Sequence, residues 1–155
     1  MKTGNEVNVS VAEIMHKRVV KVESTSSAQY CAKRITQERV GCIIVTTDKK
    51  PVGIITERGF ADLVKKGNFD CEKVTAQDFM TKPLITIDIN TDYMTATKKL
   101  HDKNIKRVPV VDDGRVVGLL TLRNLVDYSR KTVEALQKEN SLLNRMAIQR
   151  GMTRE

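Results

Sequence analysis

The chain repeats itself. Val11-Ala-Glu-Ile-Met15 returns as Ala76-Gln-Asp-Phe-Met80, and Val52-Gly-Ile-Ile-Thr-Glu-Arg58 returns as Val117-Gly-Leu-Leu-Thr-Leu-Arg123. Asp62 returns as Asp127, and each pair is 65 residues apart, so the two copies align without a gap. A fixed period is the strongest constraint a sequence can place on a fold, because each copy must take the same local structure and bury its apolar face against the other. The copies span 9–66 and 74–129, with a short polar connection between them and a tail over 130–150.

Each copy reads as the same string of elements. Ser10-Val-Ala-Glu13 and Thr75-Ala-Gln-Asp78 are capping signals for a short helical turn. Val19–Val22 and Leu84–Ile87 are short β-rich runs. Ser24–Ser27 and Asn90–Asp92 are helix starts; Ala28, Cys31, Ala32 and Ile35 follow at helical spacing in one copy, Tyr93, Ala96 and Leu100 in the other. Two further strands in each copy flank Asp48-Lys-Lys50 and Asp112-Asp-Gly114, which carry hairpin chemistry. A last helix presents Phe60 and Leu63, or Leu125 and Val126, on its apolar face. The predicted unit is β-α-β-β-α, too small to stand alone. The fold class is therefore α/β (α+β), two repeats packed sheet to sheet into one core with pseudo-two-fold symmetry, plus a C-terminal helix.

Composition narrows the function. At 155 residues, 40% hydrophobic and 30% charged, the chain has the balance of a folded domain. Aromatics are 4% with no Trp, too few for a single-stranded nucleic-acid platform. Three cysteines without CxxC spacing argue against a disulfide framework or a zinc site, and for reduced thiols in a cytoplasmic protein. No apolar run is long enough to span a membrane, and the first residues do not read as a signal peptide. The net charge of +8 favours anionic partners, although solubilising surface charge accounts for it equally well.

The repeated Gly-h-h-Thr-x-Arg segment (h, apolar) carries the chemistry. Gly53 and Gly118 permit close backbone approach. Thr56 and Thr121 set a hydroxyl at a helix start, where free N–H groups favour an anion. Arg58 and Arg123 add forked, permanent positive charge suited to phosphate. The bland alternative is that each Thr only caps its helix and each Arg is solvated surface.

This pattern of helical turn ending in Met, strand, helix, strand, Gly-h-h-Thr-x-Arg and helix resembles the cystathionine-beta-synthase (CBS) domain, and the tandem resembles a CBS pair, or Bateman module. The resemblance covers about 120 residues. It implies an adenosine nucleotide held in the cleft between repeats as a regulatory ligand, with no obligatory cofactor. Where the family commonly has an Asp for the ribose hydroxyls, three residues after the Thr, this chain has Gly59 and Asn124. Asn124 can hydrogen-bond a hydroxyl and Gly59 cannot. The family often carries a basic residue at the start of the middle strand; here Lys106 and Arg107 occupy it in copy two, Gly41 and Cys42 in copy one. Backbone around Val20-Lys21 and Ile85-Thr86 resembles the strand that contacts the base. The resemblance thus points to one good site in copy two, from Thr121, Arg123, Asn124, Lys106 and Arg107, and a degraded one in copy one, from Thr56 and Arg58.

Nothing reads as catalytic or metal-binding: His16 and His101 lie apart from any ligand set, and Asp112-Asp113 are turn formers. The expected protein is non-enzymatic and signals through a homodimer or a separate effector protein. The alternatives are a basic nucleic-acid-binding protein or a purely structural assembly module on the same scaffold. In the tail Val126, Val133, Asn140 and Ala147 are seven apart, as are Ser129, Leu136, Leu143 and Arg150. Read as a and d positions they suggest a two-stranded coil; the competing reading is an amphipathic helix lying on the repeats or swapped onto a neighbour.

Overall fold

Local sequence signals set most of the element ends in the computed structural model, which describes residues 9–151. The first repeat runs α1 (Val11–Ile14), β1 (Lys21–Glu23), α2 (Ala28–Glu38), β2 (Cys42–Thr47), β3 (Lys50–Thr56) and α3 (Glu57–Lys66). The second runs α4 (Ala76–Phe79), β4 (Ile87–Asp88), α5 (Tyr93–Asp102), β5 (Arg107–Asp112), β6 (Arg115–Thr121) and α6 (Leu122–Gly151). Asp78 closes the capping box of α4 by accepting from the Thr75 N–H at 2.7 Å and its hydroxyl at 2.8 Å. Ser27 caps α2 and Asp92 caps α5, each accepting from a backbone N–H of the first turn. Asp48 and Lys49, and Asp113 and Gly114, take positive φ at the two hairpin turns, the twist that tight antiparallel turns require.

Each repeat contributes one three-stranded sheet, ordered β1-β2-β3 and β4-β5-β6. In each, the first strand is parallel to the middle one and the hairpin closes the sheet antiparallel. The first strands begin two to three residues later than their apolar runs suggest. The preceding chain is crossing between sheets: His16 bridges to Leu119 of the second sheet before Lys21 pairs with Ile44 of the first. Thr81 likewise bridges to Ile54 before Ile87 pairs with Val110.

Those crossings exchange the helical turns. Ala76 and Phe79 of α4 are buried with Val22, Ile43, Val45 and Ile55 of the first sheet. Val11 of α1 is buried with Ile87, Val108, Val110 and Leu120 of the second. The expected single core is thus two helix-facing cores, each completed by the other repeat, with the opposite sheet faces meeting between them. Ile44 and Pro109 are buried on those opposite faces and belong to neither core. Lys21 Nζ donates across the repeats to the Val116 carbonyl at 3.5 Å.

The exchange also explains two glycines. A Cβ on Gly53 would collide with the Met80 sulfur, and one on Gly118 with the Met15 sulfur. The repeated Gly and the repeated Met are therefore contact partners across the copies.

α6 departs from its counterpart α3. It is one unbroken helix of 30 residues that runs on from the second repeat through the tail. Leu125 packs into the second core and Tyr128 packs against Tyr93, the rings tilted by 48° with centroids 5.2 Å apart. Val126, expected on the buried face, is 58% exposed because it lies on the other side of the helix from Leu125 and Tyr128.

Candidate functional site

At the end of β3 the chain turns directly into α3. Thr56 occupies the N-cap position in extended backbone, yet its side chain makes no capping bond. Its hydroxyl is free to meet a ligand, beside N–H groups that the first helical turn leaves unpaired. A cavity of about 1010 Å³ opens there, at the upper end of the size of small-molecule sites. The first repeat contributes Thr56, Arg58 and Gly59, the exchanged α4 turn contributes Met80 and Thr81, and the second repeat contributes Asn104 to Arg107. It is therefore an inter-repeat cleft.

Its charge is net positive. Five cations line it (Arg58, Lys65, Lys66, Lys106, Arg107) against three acids (Glu57, Asp62, Asp78). Arg107 faces Glu57 at 3.8 Å and Arg58 faces Asp62 at 4.0 Å. Lys106 has no ion-pair partner among the described residues. An unpaired ammonium in the same cleft as a free hydroxyl at a helix start suits an anion.

The equivalent positions of the second repeat are filled differently. Asn124 Oδ1 accepts from the Thr121 N–H at 2.9 Å and the Thr121 hydroxyl at 2.7 Å. Thr121 Oγ1 accepts in return from the Asn124 N–H at 3.2 Å. With Oδ1 so engaged, Asn124 Nδ2 points to His16 Nε2 at 2.9 Å. Capping, the bland alternative for both copies, describes Thr121 but not Thr56.

The residues expected together in copy two are divided between two faces. Arg107 is the cross-strand partner of Thr121 and the Lys106 carbonyl accepts from Leu122 N–H at 2.9 Å, yet Lys106 and Arg107 line the cleft with Thr56 and Arg58, and Thr121 and Asn124 do not. The cause is the pseudo-two-fold packing: the start of each middle strand faces the other repeat. The Arg107 guanidinium lies over Gly41, where a Cβ would meet it. Arg123 is exposed on the first turn of α6. Val20 is buried in the first core, and its carbonyl accepts from Ile44 N–H at 2.9 Å. Ile85 packs against the second core, and the Thr86 carbonyl accepts from Lys99 Nζ at 2.7 Å. Neither Val20, Ile85 nor Thr86 lines the cleft.

Sequence reasoning missed His16, which lies apart from any ligand set in the sequence. The signal was in the ungapped alignment: His16 is the counterpart of Thr81 and Asn124 of Gly59. Both positions are small where the cleft is open and larger where they bond to each other. Burial pushes the Cys31 and Cys42 thiols up to about 11; at Cys42 nearby Arg107 partly offsets this. Both are inert packing groups.

The CBS domain family model matches residues 11–66 and 76–131. An uncharacterised protein of Methanopyrus kandleri, MK0525, is 30% identical over 85% of this chain and 68% of its own length. The inosine-5'-monophosphate dehydrogenase of Thermoplasma acidophilum is 31% identical over 67% of this chain, which spans only 20% of that enzyme. Among solved structures, the CBS domain pair of MJ0100 in complex with 5'-methylthioadenosine and S-adenosyl-L-methionine is 27% identical. It superposes with a TM-score of 0.73 over 81% of this chain and 98% of that one. PAE2072 of Pyrobaculum aerophilum, complexed with AMP, is 25% identical with a TM-score of 0.68 over 75% and 89% of the two chains. Both copies of the repeat, with their exchanged helical turns, thus place the chain in the CBS domain family as a tandem CBS pair.

Proposed function

We propose that this chain is a non-enzymatic regulatory module that binds an adenosine phosphate in the cleft beside Thr56. The observation that carries this reading is the open, net-positive cavity in which the Thr56 hydroxyl and the Lys106 ammonium are both unengaged. The similar pairs crystallised with AMP, or with S-adenosyl-L-methionine and 5'-methylthioadenosine, support an adenosine moiety. The cations favour phosphate over an uncharged thioether. A ligand there would touch the β3–α3 junction of one repeat and the start of β5 in the other. It would therefore favour one packing of the repeats over another, and that differential affinity is what an effector protein could read.

The test is calorimetry of the full chain with AMP, ADP, ATP, S-adenosyl-L-methionine and 5'-methylthioadenosine. The reading expects AMP or a longer phosphate to bind. Thr56→Val with Lys106→Ala should weaken that binding by about a hundredfold, since each removes a hydrogen bond of which one is charge-assisted. Thr121→Val with Arg123→Ala should leave it within about twofold. The reverse pattern would move the ligand to the second repeat.

A further inference from the structure

Every residue of α6 from Ser129 to Arg150 is exposed, yet this stretch is not polar all round. Val133, Leu136 and Leu143 are each half or more exposed, as are Leu142, Met146 and Ile148 beside them. Helices in proteins draw most of their stability from packing an amphipathic face rather than from propensity, so this apolar stripe calls for a partner.

The stripe describes that partner. Because α6 is unbroken, Val126, Val133, Asn140 and Ala147 stand along one seam with Ser129, Leu136, Leu143 and Arg150. Lys131, Lys138 and Arg145 all fall on the position opposite the seam, facing water. The one polar residue in the middle of the seam decides the geometry. In a parallel, in-register pair Asn140 meets Asn140 of a second copy and the two amides satisfy each other. In an antiparallel pair it would meet Leu136 or Leu143 and leave its amide buried without a partner, at a cost of about 1–3 kcal/mol. The flanking positions agree. Parallel pairing sets Glu139 opposite Asn144 and Thr132 opposite Gln137 of the second copy, with no like charges facing.

We propose that the exposed length of α6 is the assembly element of this protein: it pairs with α6 of a second copy as a parallel two-stranded coil whose register is set by Asn140. The claim is independent of nucleotide binding. Because α6 continues from the last strand of the second repeat, the coil joins the two second repeats.

Sedimentation of the full chain tests it. The wild type should dimerise in the micromolar range. Leu136→Asp with Leu143→Asp should weaken the dimer by about a hundredfold or more with the circular dichroism of the sheets unchanged. Asn140→Leu should tighten association and admit higher oligomers. Ala147→Cys in a Cys71→Ser background should give a disulfide-linked dimer under mild oxidation, because only parallel pairing brings the two positions within disulfide reach. A monomeric wild type, a dimer indifferent to the double Asp change, or a dimer that fails to cross-link at 147 would each overturn the proposal.

Discussion

The two junctions between the last strand and last helix of each repeat are nearly identical in sequence and opposite in state. Gly53-Ile-Ile-Thr56 ends at an open cleft, and Gly118-Leu-Leu-Thr121 ends in a closed hydrogen-bonded cluster. The difference does not lie in the shared motif. It lies in two positions outside it: Gly59 and Thr81 on the open side, Asn124 and His16 on the closed side. A motif can therefore supply binding chemistry in both copies while its neighbours decide which copy has room for a ligand.

The largest expected effect strikes what the junctions share. Gly118→Val drives a side chain toward the His16 carbonyl, which lies 2.8 Å from the position a Cβ would take. Gly53→Val does so toward the Thr81 carbonyl at 3.0 Å. Each should lower stability by roughly 3 kcal/mol, within the usual cost of overpacking, with Gly118→Val the worse. Urea denaturation would show it, and a loss under about 0.5 kcal/mol in either would refute the close approach of the exchanged turns.

Transplanting the closed state comes next. Gly59→Asn with Thr81→His should rebuild the cap on Thr56 and lower adenosine-phosphate affinity by about a hundredfold, or roughly 2.7 kcal/mol. The reciprocal His16→Thr with Asn124→Gly should remove about 1–2 kcal/mol of capping and hydrogen bonding and raise the calorimetric stoichiometry toward two. If neither swap changes binding, the size of these side chains is not what separates the copies.

A smaller change sharpens the same contrast. Gly59→Asp adds a carboxylate where the family commonly holds the ribose, and its Cβ would clear the Phe79 carbonyl at 3.4 Å. Nucleoside affinity should rise about threefold to tenfold, the worth of one added hydrogen bond; a fall would mean that the sugar does not reach this turn.

The smallest effect concerns pH. Hydrogen bonds from Thr75 hold the Asp78 carboxyl below its ordinary range. Its folded value lies below its unfolded value, so the contribution is fully present above about pH 4 and fades as pH falls through the folded value. Asp78→Asn should be less stable than wild type at neutral pH, and the two stability curves should converge in acid.

How much of this was legible in the sequence divides along the range of the interactions. Capping boxes, hairpin turns and helix faces depend on residues within a few positions, and Ser27, Asp92, Asp113 and Leu63 behave as their neighbours dictate. The gapless repeat made the pair of sheets readable, and the sevenfold spacing made the long last helix readable. What was not legible was which cleft each side chain lines. Lys106 stands 15 residues before Thr121 in sequence but lines the cleft of Thr56, because the middle strand of each repeat starts facing the other. Likewise His16 meets Asn124 across 108 residues only because α1 is exchanged. Periodicity reveals which face is buried; it does not reveal against which copy.

The exchange of helical turns has a consequence for how such a chain holds together. A single copy lacks the turn that completes its own core, so it could close that core only by borrowing the turn of another molecule. The tandem chain supplies that reciprocal lending inside one polypeptide. The polar link from Gly67 to Lys73 adds proximity and one tie to the first repeat, the Cys71 carbonyl accepting from the Gln29 N–H at 2.9 Å. Cut there, the two halves should stay wedded through α1 and α4 as a split protein, each half unfolded without the other.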